Sequence, residues 1–280
     1  MWFQKQKSFK DVAEAVLRLK LLKSKNTQLS ARLQIKRLIR FFGKFPIGEI
    51  SETLWNNYLL FEQSKKPRRY YDDRKYMRMI LLHALREGMI EKKIPLPIPD
   101  IPRQVGREVT ESELLRLKIH AGDELALQIE IAWKMGFRKC EMLALRLDQF
   151  NWSQNTITLL PSDTKTRRGR VVPIPPDLVQ CFKVGFERSK SPFLFPSPTD
   201  PSKPQSSNKS AWIRCKRDAS VRTRWHDLRH TCATLMLRRG VKRHVVKTYL
   251  GMSEKVLLEI YAHLDLADLQ EAAAAMVGKH

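Results

Sequence analysis

The chain has 280 residues, enough for one large or two modest domains with buried cores. Lys and Arg number 52 against 29 Asp and Glu, a formal net charge of +23, which calls for a polyanionic partner, with nucleic acid first in line. The basic residues are spread along the chain, no apolar run approaches a membrane span, and the start lacks a signal peptide's apolar core, so a membrane partner is disfavoured and a soluble, cytoplasmic protein is expected.

Residues 8–25 predict an amphipathic helix opened by Ser8, with Asp11 in its first turn. A second helix follows over 29–42, with Leu33, Ile35, Leu38 and Ile39 apolar and Arg32, Lys36, Arg37 and Arg40 basic. P-I-G-E-I-S-E breaks the pattern, and Ser51 starts a third helix through Trp55 and Leu59. K-K-P-R-R-Y-Y-D-D-R-K-Y reads as a basic, aromatic loop entering a fourth helix over 76–88; Lys65, Lys66, Arg68 and Arg69 in it are candidate DNA contacts. Four helices with one basic face make a small helical domain over 1–93. I-P-L-P-I-P-D-I-P-R is too rich in proline to be helical and predicts an extended interdomain linker over 94–106.

The remainder, 107–280, predicts a mainly helical domain with a small β-sheet, an α+β arrangement. Thr110 caps one helix, and a long apolar-periodic helix runs over 123–135. Gly136 interrupts, and F-R-K-C-E-M-L-A-L-R resumes helical spacing. N-T-I-T-L-L-P and G-R-V-V-P-I-P are strand-like, joined by S-D-T-K-T-R-R-G as a hairpin. Residues 177–189 return to helix, 191–210 read as an exposed Pro- and Ser-rich loop, and 208–218 as a short helix. W-H-D-L-R-H-T-C-A-T-L-M-L-R-R-G over 225–240 is a further helix, with Leu228, Cys232, Leu235 and Met236 as its buried face and Gly240 as its stop. The alanine-rich end, L-A-D-L-Q-E-A-A-A-A-M-V, reads as a last helix with a weak apolar stripe.

Cys140, Cys181, Cys215 and Cys232 are scattered, without zinc-type spacing, and are expected as small buried hydrophobes. Neither a phosphate-binding G-x-x-x-x-G-K nor a G-x-G-x-x-G is present, so no cofactor and no metal are expected and the chemistry must come from ordinary side chains. The 225–240 helix is suited to a phosphate. His226 and Arg229, three positions apart, project from one side; Arg grips two oxygens in a fixed fork, and His moves a proton near neutral pH.

Upstream, M-G-F-R-K-C-E-M-L-A-L holds Arg138 and Glu141, and T-K-T-R-R-G-R-V-V-P-I-P holds Lys165; downstream, Y-L-G-M-S precedes I-Y-A-H-L with Tyr261. This ordered set resembles the tyrosine recombinase (phage integrase) family, strongly over 108–264 and more loosely before it. The resemblance implies a site-specific recombinase or integrase that cuts double-stranded DNA through a 3′-phosphotyrosine, without ATP or metal. Tyr261 would be the nucleophile, Arg138 and Arg229 would hold the non-bridging oxygens, and Lys165 would protonate the leaving 5′-oxygen. His226 would assist proton transfer, and Glu141 would orient Arg138. Arg167, Arg168 and Arg170 crowd the Lys165 turn and are expected to bind backbone phosphates, being poor acids. The resemblance also implies a homotetramer on DNA, with the C-terminal helix exchanged between protomers.

One position departs from the pattern. After L-G the family usually has His, sometimes Trp, where this chain has Met252, which keeps bulk but offers no donor. Losing such a donor costs about 2–4 kcal/mol in the transition state unless it is replaced; His263 and Lys255 are the nearby groups that could do so. The alternative reading is a DNA-binding protein of the same fold that no longer cuts. A type IB topoisomerase would use similar chemistry, but the compact helical N-terminal domain favours a recombinase.

Overall fold

The computed structural model describes residues 7–20, 24–62, 69–99, 106–164 and 167–261. The chain divides into two compact units, Met1–Gln104 and Val105–His280. Among the sequence expectations, Lys65, Lys66, Arg68, Lys165, His263, Leu264 and the alanine-rich C-terminal helix lie outside the described residues.

The first unit is built from α1 (Phe9–Arg18), α2 (Lys25–Phe42), α3 (Glu52–Phe61) and α4 (Arg69–Arg86). Ser8 opens α1 with a reciprocal cap: its hydroxyl accepts from the Asp11 N–H and the Asp11 carboxylate accepts from the Ser8 N–H. The helix stops at Arg18, short of residue 25, because its buried stripe of Phe9, Val12, Ala13 and Val16 meets an exposed Leu19 and a lysine at 20. Ser51 caps α3 by accepting from the Leu54 N–H. Phe9, Phe42, Trp55 and Tyr58 form the aromatic centre of this core.

The fourth helix starts seven residues before the sequence pattern places it. Tyr70, Asp73, Tyr76, Met77 and Ile80 form one buried stripe, and the carboxylate in the middle of it hides the periodicity. Asp73 tolerates burial because Tyr58 donates to it at 2.7 Å and Arg37 pairs with it at 3.1 Å. Burial nevertheless pushes the Asp73 pKa up. Residues 94–99 carry neither helix nor strand. They pack on this unit, with Leu96 buried and the Trp55 indole donating to the Pro97 carbonyl at 2.6 Å, so the stretch expected as linker is partly core.

In the second unit, Thr110 and Glu113 cap α5 (Glu111–Ile119) reciprocally, and α6 (Asp123–Lys134) and α7 (Lys139–Leu143) follow. A three-stranded antiparallel sheet comes next, in the order β1 (Phe150–Asn151), β2 (Thr156–Leu159), β3 (Arg170–Pro173), with Ile157 opposite Val172 and Leu159 opposite Arg170. The sequence pattern predicts only the β2–β3 hairpin; β1 is two residues long and too short to show alternation. The chain continues through α8 (Pro176–Ser189), α9 (Lys209–Asp218), α10 (Trp225–Arg238), α11 (Arg243–Leu250) and α12 (Glu254–Tyr261). The loop between α8 and α9 is anchored and not simply exposed, since Leu194 and Phe195 are buried in the same core as Ile157 and Val172. Two cysteines also depart from expectation: Cys140 and Cys181 are exposed, on the outer faces of α7 and α8, while Cys215 and Cys232 are buried. The central helix α10 packs against α6, α11 and α12, and α11 in turn packs against β3.

Candidate active site

Asp227 fixes the start of α10. It is buried, accepts the Arg224 N–H at 2.8 Å and the Arg224 guanidinium at 2.6 Å, and so satisfies the first turn. Burial opposes its charge, but these hydrogen bonds prevail and hold its pKa below the usual carboxylate value. His226 and Arg229 are thereby placed on the first two turns. His226 remains exposed by area, yet the protein packed around its ring, followed by the Arg229 charge, lowers its pKa and keeps the imidazole neutral at pH 7.

Arg229 is 4 % exposed. Its Nη1 donates to the Gly136 carbonyl at 2.5 Å and its Nη2 to the Leu250 carbonyl at 2.6 Å. Burial, then the charges of Arg138 and Arg170, bring its pKa down to about 10, with Glu141 opposing; the group stays cationic at neutral pH. Both acceptor turns require glycine. Gly136 has φ +58°, and a Cβ there would lie 2.4 Å from Leu250 Cδ2; Gly251 has φ +60°, and a Cβ there would lie 2.9 Å from Arg170 Nη1. Gly251 ends α11 in a left-handed cap in which Met252 N–H donates to the Lys247 carbonyl at 3.1 Å.

Arg138 immediately precedes α7. Its N–H donates to Glu141 Oε2 at 3.2 Å, its Nη1 to Glu141 Oε1 at 2.7 Å and its Nη2 to the Gly251 carbonyl. Glu141 is buried and is shared: Arg170 Nη2 donates to Oε2 at 2.8 Å. Burial would raise the Glu141 pKa, but Arg170 and then Arg138 hold it below the usual range. Arg170, Arg229 and Arg138 thus donate to three successive carbonyls, those of Tyr249, Leu250 and Gly251, while Glu141 joins Arg138 to Arg170. Two guanidinium groups share the one carboxylate and the third, Arg229, is held by carbonyls alone, so these four side chains carry a net charge of two positive units.

Arg170, expected as an exposed phosphate ligand, is instead buried in the ion pair with Glu141, its side chain 5 % exposed. Arg167 and Arg168 are exposed at the base of the hairpin, where the Arg168 N–H donates to the Thr164 hydroxyl at 3.0 Å; the Lys165 tip is outside the described residues. Tyr261 is the last residue of α12, and its side chain is among those not described. Met252, the residue after the Gly251 carbonyl that Arg138 uses, is 9 % exposed and belongs to the core of Val246, Leu250, Leu257 and Ile260. Lys255 is exposed on α12. In the first unit, Arg69 opens α4, half-exposed, 4.0 Å from the buried Glu62 carboxylate.

The sequence reading missed the role of Arg170 as a partner of Glu141. The signal was parity: Arg170 stands on β3 in phase with buried Val172 and Ile174, an inward charge on a strand.

The phage integrase family pattern matches residues 108–267, more than half of the chain. The chain belongs to the phage integrase family. Among curated members, it is similar to the tyrosine recombinase XerA of Pyrococcus furiosus, 28 % identical over 194 residues, 66 % of this chain and 67 % of that protein. It is also similar to the tyrosine recombinase XerD of Pseudomonas aeruginosa, 26 % identical over 210 residues, 69 % of this chain and 70 % of that protein. Among solved structures, the integrase of the Tn1549 transposon in complex with transposon right-end DNA has a TM-score of 0.80 at 17 % identity, with 97 % of this chain and all of that chain covered, 100 %. A lambda integrase tetramer bound to a Holliday junction gives 0.78 at 15 % identity, over 92 % of this chain and 78 % of that one. At these identities the structures establish a shared fold, mostly helical with a small sheet.

Proposed function

We propose that this integrase-family chain is a site-specific DNA recombinase that breaks and rejoins strands through a covalent 3′-phosphotyrosine. The observation that carries the reading is the excess of positive charge at one place: among the described residues, Arg138, Arg170 and Arg229 stand against Glu141, with the Arg229 pKa depressed to about 10 by its burial and then by its cationic neighbours. A cluster of that charge is incomplete without an anion, and it disfavours a metal cation.

Arg138 and Arg229 hold the two non-bridging oxygens of the scissile phosphate and stabilise the charge of the transition state. The Tyr261 oxygen attacks phosphorus; the bond to the 5′-oxygen breaks, and that oxygen takes a proton from Lys165 as it leaves. His226, neutral at pH 7 because of its surroundings, accepts the phenolic proton through the phosphate environment. A 5′-hydroxyl from a second strand then attacks the phosphotyrosine and releases Tyr261, so bond number and charge are conserved without ATP or metal. Exchange between two duplexes needs two cuts in each, which four protomers provide. Arg167, Arg168 and Arg69 contribute backbone contacts from exposed positions, with Lys65, Lys66 and Arg68 in the same role.

The test is a suicide assay in EDTA, in which a nicked duplex carrying the chain's own site is incubated with wild type and with Tyr261→Phe and run on a denaturing gel. A protein–DNA adduct is expected with wild type and not with Tyr261→Phe, at equal DNA affinity. No adduct with wild type on a duplex it binds specifically would leave a DNA-binding protein of this fold.

A further inference from the structure

β3 opens with a charge that faces inward. Arg170 lies opposite Leu159 in the antiparallel register and in phase with Val172 and Ile174, all three of them buried. Its guanidinium stands 5.5 Å over the Phe137 ring. Nε donates to the Tyr249 carbonyl at 3.0 Å and Nη2 to Glu141 Oε2 at 2.8 Å. Nη1 is buried with no hydrogen-bond partner and abuts Gly251, whose lack of a side chain leaves it room.

A buried guanidinium with an idle amino group is costly, and an unbranched apolar side chain would fill the space beside Phe137 and Val172 without that cost. For packing alone, an arginine is a poor choice. What it adds is charge and a fork. Arg138 and Glu141 on their own would form a neutral pair, and an arginine neutralised by its own orienting carboxylate attracts phosphate weakly. Arg170 takes the second oxygen of that carboxylate. The same guanidinium grips the last turn of α11, whose next two carbonyls accept from Arg229 and Arg138.

We propose that Arg170 is a positioning residue for strand cleavage: it shares Glu141, so that Arg138 is oriented without being neutralised, and it ties β3 to the Leu250–Gly251 turn that both phosphate-binding arginines use. This rests on the recombinase reading above. Arg170 acts through Arg138, and no contact of its own with DNA is required.

The test uses the full chain and the nicked duplex under single-turnover conditions, with Arg170→Met and Arg170→Lys beside wild type. Arg170→Met keeps a side chain of similar reach over Phe137, and its adduct formation is expected to slow by about 10- to 100-fold, the range for outer-shell support of a site, with DNA affinity unchanged. Arg170→Lys restores part of the rate. A loosened fold would slow every substrate alike, so the scissile phosphate is also replaced by a methylphosphonate, which carries no charge. On that duplex the demand for positive charge falls, and the Arg170→Met deficit should shrink. Cleavage by Arg170→Met at the wild-type rate, or an equal deficit on both duplexes, overturns the proposal while leaving the recombinase reading intact. Absence of adduct in the wild-type lane defeats both, and is seen before any variant is compared.

Discussion

Glu141→Gln tests whether the buried cluster is a charged site held together by one carboxylate. Glu141 is 2 % exposed and, among the described residues, is the anion that pairs with Arg138 and Arg170. The substitution preserves shape but removes the charge, and the amide group must turn its own N–H atoms toward one of the two arginines. Breaking a buried pair by removing one partner costs about 3–5 kcal/mol. At about 2–4 °C per kcal/mol for a unit of this size, the melting temperature of the second unit should fall by ~6–20 °C. The pH dependence has a defined sign. Arg170 and Arg138 depress the Glu141 pKa in the folded chain, so its stabilisation is complete above the unfolded value, about 4.3, and is lost as pH falls through the lower folded value. The difference between wild type and variant should therefore be constant from neutral pH down to about 5 and shrink below about 4.3. Sulfate or inorganic phosphate should stabilise the variant more than wild type, because the cluster then carries one more uncompensated positive charge. Thermal denaturation followed by circular dichroism against pH and phosphate reads all three. A variant that melts with wild type at pH 7, or one indifferent to phosphate, would falsify the charge argument.

Three further outcomes follow from the same geometry. Gly251→Ala forces a side chain into a left-handed residue at about 1–2 kcal/mol and places its Cβ against Arg170, so both the melting temperature and the rate of adduct formation should drop, the second through displacement of Arg170. The His226 pKa lies below its ordinary 6.5, so the midpoint of the acid limb of cleavage that needs the neutral imidazole should fall below pH 6.5; His226→Gln should be slower and lack that acid limb. Met252→His buries a polar ring in the Leu257 and Ile260 core, so the variant should melt lower, by about 1–3 kcal/mol of stability, yet cleave faster as the missing donor returns; a variant that is both less stable and slower would show that the methionine serves packing alone.

The helices that can be read from the sequence are those in which polar punctuation and apolar periodicity agree. Ser8 with Asp11, Thr110 with Glu113 and Ser51 mark helix starts because a short side chain accepting a backbone N–H is a local event, complete within four residues. The start of α4 is hidden in the sequence because its buried stripe contains Asp73, and what makes a carboxylate tolerable there is Tyr58 and Arg37, fifteen and thirty-six residues away in sequence. α11 is hidden in the sequence for a related reason. Only Val246 and Leu250 are buried on it, and its other positions mix Arg243, His244 and Lys247 with Val245, Thr248 and Tyr249, so its existence depends on the core formed with α10 and α12.

The candidate site divides along the same line. Arg138, Glu141, His226 and Arg229 are legible because each sits in a short motif, and the pairs are fixed by helix spacing: Glu141 one turn after Arg138, Arg229 one turn after His226. Arg170 is illegible as a partner because its role arises from a strand register, a glycine with positive φ and a carbonyl at the end of α11, three features that only tertiary packing brings together. Three arginines in R-R-G-R look alike as charges. Only Arg170 lies on β3, in phase with Val172 and paired with the Glu141 carboxylate, while Arg167 and Arg168 lie in the loop before it and stay in solvent. A charge on the inward phase of a strand has to be matched by another charge, and here the match is a glutamate already committed to Arg138. That shared carboxylate is why the cluster retains net positive charge at its centre, the property a phosphodiester would select.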